Sequence, residues 1–136
     1  MALVLDASAF APLFLDDERN DILPNLEKVI AEGEIVVPAH WHVEIANSLR
    51  AALRHNRIDE HGRLAAIETI ESLDTNIDAT AAVLFSGVWP LAERHDLTIY
   101  DAAYLELAMR KGAALATHDR ALIRASRSEG VELFGQ

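Results

Sequence analysis

Short apolar runs separated by long stretches of helical spacing constrain this chain more than any other feature. Leu3-Val4-Leu5, Ile35-Val36-Val37 and Ala113 to Thr117 are compact and almost wholly apolar. Runs of that kind suit strands buried on both faces, as in a parallel sheet covered by helices. The intervening segments are long enough for crossovers. Ala7 to Leu15 reads as a helix. A second follows from about Pro24, with proline in its first turn, and Gly33 closes it. Pro38 stops the strand that follows. From Ala39 to His55, Val43, Ala46, Leu49 and Leu53 recur at helical spacing, and from Asp59 to Leu73 Leu64, Ile67 and Ile70 do the same. Asn76-Ile77 is a minimal strand. A helix begins near Thr80, and Pro90 kinks or interrupts it. Thr98 opens a helix over Tyr100 to Arg110 that Gly112 ends. A helix over Asp119 to Ser128 ends at Gly130, and Val131 to Phe134 makes a last short strand. The pattern predicts one α/β domain over residues 1–136: a central, mostly parallel, twisted sheet of four to five short strands with helices on both faces.

The 136 residues suffice for one continuous core, and 51% hydrophobic with 25% charged residues describes a globular chain. With no cysteine, disulfides, zinc–thiolate sites, iron–sulfur clusters and thiol nucleophiles are excluded. The N-terminal residues predict no signal peptide, and no stretch is long enough to span a bilayer. The expected setting is the cytoplasm, away from membranes.

Four carboxylates stand where an apolar strand passes into a helix, or early in a helix: Asp6, Glu44, Asp101 and Asp119. In a parallel sheet, ligands gather beyond the carboxyl ends of the strands. Connectivity brings Asp6, Glu44 and Asp119 to that edge, and Asp101 follows the weakest predicted strand. Each has an ordinary alternative. Asp6 and Asp119 suit helix N-caps, Thr98 to Asp101 fits a capping box, and Glu44 suits a solvated helix face. Together they favour one acidic pocket. Two carboxylates 4 Å apart repel by roughly 4 kcal/mol at an effective dielectric near 20, so a cluster needs protons or a cation. Oxygen-only ligands select Mg²⁺, or Mn²⁺ in its place, and such an ion activates water against a phosphate ester. Ser8 and Thr117 are placed to orient these carboxylates.

Other chemistries fit less well. His42-Val43-Glu44 matches the H-x-E of zinc deaminases without their cysteines. His40 and His42 point apart on a helix. There is no P-loop, and a phosphoaspartyl transferase would need a second aspartate where Ser8 stands. The net charge of −10 opposes a nucleic-acid partner. Two arginine clusters soften that objection: Arg50, Arg54 and Arg57 after Glu44, and Arg120, Arg124 and Arg127 after Asp119. The competing reading for both is a solvated helix face.

Four segments, Leu5-Asp6-Ala7-Ser8-Ala9, Glu44-Ile45-Ala46-Asn47, Tyr100-Asp101-Ala102-Ala103-Tyr104-Leu105 and Ala116-Thr117-His118-Asp119, resemble in order and spacing those of PIN-domain ribonucleases, specifically VapC-type toxins of toxin–antitoxin pairs. The resemblance covers nearly the whole chain. It implies a PIN-like three-layer fold and a Mg²⁺-dependent endoribonuclease. Asp6, Glu44, Asp101 and Asp119 would form the acidic quartet, with Asp6 and Asp101 the principal metal ligands and Thr117 the supporting hydroxyl. It further implies a homodimer and a cognate antitoxin whose tail occupies the acidic groove. The alternatives are a catalytically silent PIN-like domain that binds RNA or protein, and a small-molecule phosphatase.

Overall fold

The computed structural model describes residues 2–18, 20 and 23–135. Four strands, β1 (Ala2–Leu5), β2 (Glu34–Pro38), β3 (Thr75–Asp78) and β4 (Ala114–Ala116), form one sheet in the order β3-β2-β1-β4. Every pairing is parallel, with Val4 opposite Val36 and Leu115, and Pro38 opposite Asp78. Successive residues Leu3, Val4 and Leu5 are all buried. Side chains alternate faces along a strand, so both faces of the sheet are covered by helices. The minimal strand at Asn76-Ile77 is present as β3.

Among the described residues seven α-helices accompany the sheet: α1 (Ala7–Phe10), α2 (Leu23–Glu32), α3 (Trp41–Arg54), α4 (Glu60–Ser72), α5 (Trp89–His95), α6 (Ile99–Lys111) and α7 (Arg120–Ser128). The core joins the strands to α6, whose residues Ala102 to Ala108 are all buried. Alanine at three of those seven positions, 102, 103 and 108, lets neighbours approach the helix closely. Phe10 and Trp41 pack edge to face at 5.3 Å beneath the sheet's carboxyl end. None of the helices among the described residues is long and apolar enough to cross a membrane.

Several expectations need correction. The helix expected over Ala7 to Leu15 stops at Phe10 and continues as a 3₁₀ turn over Ala11–Leu13. Pro12 cannot donate to the Ser8 carbonyl and its ring crowds it. The region around Pro90 is a 3₁₀ turn (Thr80–Val83), a π turn (Leu84–Val88) and then α5, rather than one kinked helix. Trp89 N–H reaches back to the Leu84 carbonyl, an i to i−5 bond that lets Pro90 enter in a first turn. The strand expected over Val131 to Phe134 is a single parallel bridge between Leu115 and Leu133. Glycines at 130 and 135, both at positive φ, bracket it and leave no length for a ladder.

The stripe assigned to α3 is also shifted. Its core face is Trp41, Ile45, Leu49 and Ala52, whereas Val43 is 70% exposed and Ala46 is open to solvent. On α4, Leu64 is likewise exposed and Ile67 and Ile70 are half-buried. The two helices therefore leave apolar side chains along a groove between them.

At the end of α6, Gly112 adopts φ 59° and turns the chain into β4, with nothing near the place a Cβ would occupy. The cost of a side chain there is backbone strain alone. Gly112→Ala is expected to destabilise the protein by about 1 kcal/mol in urea unfolding, with an unchanged m-value.

Candidate metal centre

Parallel strands bring an acid to the carboxyl end of each strand. Asp6 follows β1, Glu44 lies in the first turn of α3 after β2, Asp78 ends β3 and Asp119 follows β4. Asp101 joins them from the first turn of α6. Of these five, Asp78 is already neutralised. Arg110 grips it with two bonds, at 3.0 and 2.6 Å, and also holds the buried Glu106 at 2.6 Å. The other four are the quartet expected from the sequence.

Asp6 is the buried member, only 4% exposed. Its backbone N–H continues the ladder to the Ala116 carbonyl at 3.0 Å. Two hydroxyls meet its Oδ2: Thr117 donates at 2.6 Å and Ser8 at 2.7 Å. Each hydroxyl has one proton and spends it there. Their lone pairs accept the backbone N–H groups of Asp119 and His118, at 3.1 and 3.0 Å. Among the described residues no donor binds Oδ1, so one oxygen of Asp6 is fixed and the other is open to a ligand. Asp6 makes no N-cap bond, unlike Asp119, whose Oδ1 accepts from Leu122 N at 2.9 Å. The capping expectation thus holds for Asp119. At α6 only half of the expected capping box forms, with Thr98 Oγ1 accepting from Asp101 N at 3.1 Å.

The four carboxylates act on one another electrostatically. Burial pushes the Asp101 carboxyl up to about 6, and the charges of Asp6, Asp119 and Glu44 push in the same direction. Burial also raises Asp6; the Thr117 and Ser8 bonds oppose that, and Glu44 and Asp119 add to it. Glu44 moves the other way. Burial would raise it, but contacts with His40 and Tyr104 outweigh burial and hold it below the usual range. The Tyr104 hydroxyl donates to Glu44 Oε1 at 2.7 Å, and His40 Nε2 lies 3.2 Å from the same oxygen, out of line for a hydrogen bond.

A family model, the PIN domain, matches residues 3–128. The chain belongs to the PIN-domain family. Ribonuclease VapC3 of Pyrobaculum aerophilum is 30% identical over 124 residues, covering 90% of this chain and 92% of the relative. A solved Pyrobaculum aerophilum protein, PAE2754, superposes with a TM-score of 0.69 at 24% identity, over 92% of this chain and 79% of that one. VapBC2 from Rickettsia felis, solved bound to a DNA fragment from its promoter, gives a TM-score of 0.66 at 15% identity, over 98% and 97% of the two chains. The last two establish likeness of fold.

PIN-domain ribonucleases are metal-dependent as a class, and the donor set here fits a hard divalent cation. All four acids offer oxygen alone, and their mutual repulsion is what such an ion relieves. Among the described residues no three acidic or histidine side chains already enclose one point as a finished cage. A hard divalent cation can be held by one or two carboxylates and complete its shell with water. Asp6 and Asp101 are the pair that could hold it.

The arginines of this PIN domain are less uniform than the sequence suggested. Arg57 is occupied by Asp17 and Glu18, each at 2.7 Å, and is not open to phosphate in this arrangement. Arg50 lines the groove between α3 and α4. Arg54, Arg120, Arg124 and Arg127 lie on exposed helix faces, and no ion pair joins Arg50, Arg54, Arg120 or Arg124 to the quartet among the described residues. Sequence reasoning missed His40 and Tyr104. Their signals were spacing: His40 stands four residues before Glu44, and Tyr104 three after Asp101, inside a motif already singled out.

The raised carboxyls fix a sign. Because Asp101 binds its proton more tightly folded than unfolded, its contribution to stability falls as pH rises from about 4 to about 6. Asp101→Asn should remove that cost. In chelator, the variant is expected to match wild type near pH 4 and to exceed it at pH 7 by about 1 kcal/mol, once screening of this half-exposed group is allowed for. Thermal melts across that range give the test, and equal differences at both pH values would contradict it.

Proposed function

We propose that this PIN-domain protein is a Mg²⁺-dependent endoribonuclease that acts in the cytoplasm as the toxin of a toxin–antitoxin pair. The observation that carries this reading is Asp6, buried, with one oxygen fixed by Thr117 and Ser8 beside three further carboxylates. Asp6 and Asp101 would hold the ion. When bound, it would polarise a phosphodiester and make a nucleophile of water. The protein supplies orientation and charge. Thr117 and Ser8 fix the Asp6 carboxylate, and Tyr104 fixes Glu44, which stays ionised within a field that favours cations. The ion also offsets an acidic surface that would repel RNA. With Arg57 engaged, phosphate contacts fall to Arg50, Arg54, Arg120 or Arg124.

The relatives' names support RNA as the substrate. A toxin–antitoxin structure among the fold's neighbours supports a protein partner. The apolar groove of about 380 Å³ between α3 and α4, lined by Ile45, Ala46, Leu49, Leu53, Ile67 and Ile70, fits an amphipathic antitoxin segment. A homodimer is the expected solution state, to be checked by sedimentation.

Purified protein freed of its partner should cut RNA with Mg²⁺ or Mn²⁺ and stop with EDTA. Asp6→Asn should abolish cleavage with the fold intact, and Thr117→Val should lower it by about 10- to 100-fold. Activity in chelator would contradict the metal reading. Binding of RNA without cleavage would favour a silent PIN-like domain, and turnover of a simple phosphomonoester instead of RNA would favour a phosphatase.

The partner surface has its own test. Leu53→Glu should prevent inhibition by the co-expressed antitoxin while leaving cleavage intact. Full inhibition of that variant would place the antitoxin elsewhere.

A further inference from the structure

Tyr100 immediately precedes Asp101 and is 61% exposed. An exposed tyrosine alone means little, but this ring is held. Its centroid lies 5.3 Å from that of His40, with the planes at 67°. The His40 ring in turn meets the buried Tyr104 at 5.1 Å and 75°. Tyr104 and His40 both reach Glu44 Oε1. Tyr100 and Tyr104 are one helical turn apart on the same face of α6, and the Thr98 cap fixes the turn that carries Tyr100. The result is an aromatic wall rising from Glu44 to an open ring at the rim of the acidic cluster. An edge-to-face contact covers one side of a ring at most, so a face of Tyr100 is left for a planar ligand.

We propose that Tyr100, backed by His40, is a nucleobase-stacking residue that seats an RNA base beside the phosphate to be cut. The proposal rests on the ribonuclease reading and extends it to how the substrate is gripped. A chain of net charge −10 gains little from long-range attraction to a polyanion. Stacking on an aromatic face needs no charge and accepts any base, since every base presents a π-face. Such a contact places the strand at the acids while contributing nothing to the salt dependence that phosphate contacts produce.

Steady-state cleavage of a single-stranded oligoribonucleotide in Mg²⁺, at several salt concentrations, tests this with Tyr100→Ala, Tyr100→Phe and Tyr100→Trp. Tyr100→Ala should raise KM by about 5- to 100-fold, with kcat within about twofold of wild type. Phe and Trp should restore KM, and the salt slope should be the same for all. In single-turnover mixing with the wild-type protein, a 2-aminopurine beside the cleaved phosphate should be quenched before cleavage, and Tyr100→Ala should abolish that quenching. Unchanged KM in Tyr100→Ala would overturn the proposal. A Phe variant as impaired as Ala, or a flattened salt slope in Tyr100→Ala, would also overturn it, because either marks a hydroxyl–phosphate contact. If wild type neither cleaves nor binds RNA, the ribonuclease reading itself falls and takes this proposal with it. If wild type cleaves and Tyr100→Ala matches it, only the stacking role falls.

Discussion

Repulsion among carboxylates at the carboxyl end of a parallel sheet governs how the rest of this molecule is built. Asp6, Glu44, Asp101 and Asp119 arrive from four different elements, so each must be held against the other three. The protein does this unequally. Asp6 is clamped through one oxygen by two hydroxyls, and Glu44 is kept charged by Tyr104 and His40. Asp119 spends an oxygen on its own helix. Asp101 has the least protein support and carries the clearest penalty, with a carboxyl raised to about 6. Asp78, at the end of β3, is paired instead with Arg110.

The fold serves that arrangement. The buried helix α6 carries Asp101 and Tyr104 in its first half and Glu106 and Arg110 further along, so one element adds a charge to the cluster and pairs Asp78 with a cation. Strand β4 is only three residues long, yet it sets the Thr117 hydroxyl against Asp6 and the Asp119 carboxylate beside it. The hydroxyls of Ser8, in α1, and Thr117, after β4, link the two segments beyond the last ladder bond. A hydroxyl that donates to a buried carboxylate while accepting a backbone N–H is satisfied on both sides, and this is why the network can be rigid without a charge of its own.

Much of this was legible in the sequence because it depends on local chemistry. Continuous apolar runs gave the parallel sheet, Thr98 and Gly112 bounded α6, and four acids at strand-to-helix junctions marked the cluster. What escaped depends on tertiary choice. Two apolar stripes compete on α3, and only packing decides that Trp41, Ile45, Leu49 and Ala52 face the core while Val43 and Ala46 do not. Pro90 announces a break but not that a π turn will absorb it. Arg57 looks like a phosphate contact until Asp17 and Glu18, 40 and 39 residues away in the chain, are folded onto it. The single bridge at Leu133 had the composition of a strand without the room to become one.

The central claim is that this cluster is a cation site organised around Asp6. Direct titration with Mn²⁺, followed by the loss of its free-ion electron paramagnetic signal, tests it without reference to any substrate. Wild type should bind Mn²⁺ saturably and release it to Mg²⁺, and folded Asp6→Asn protein should lose that binding. Undiminished Mn²⁺ binding by folded Asp6→Asn, or no saturable binding by wild type, would contradict the account.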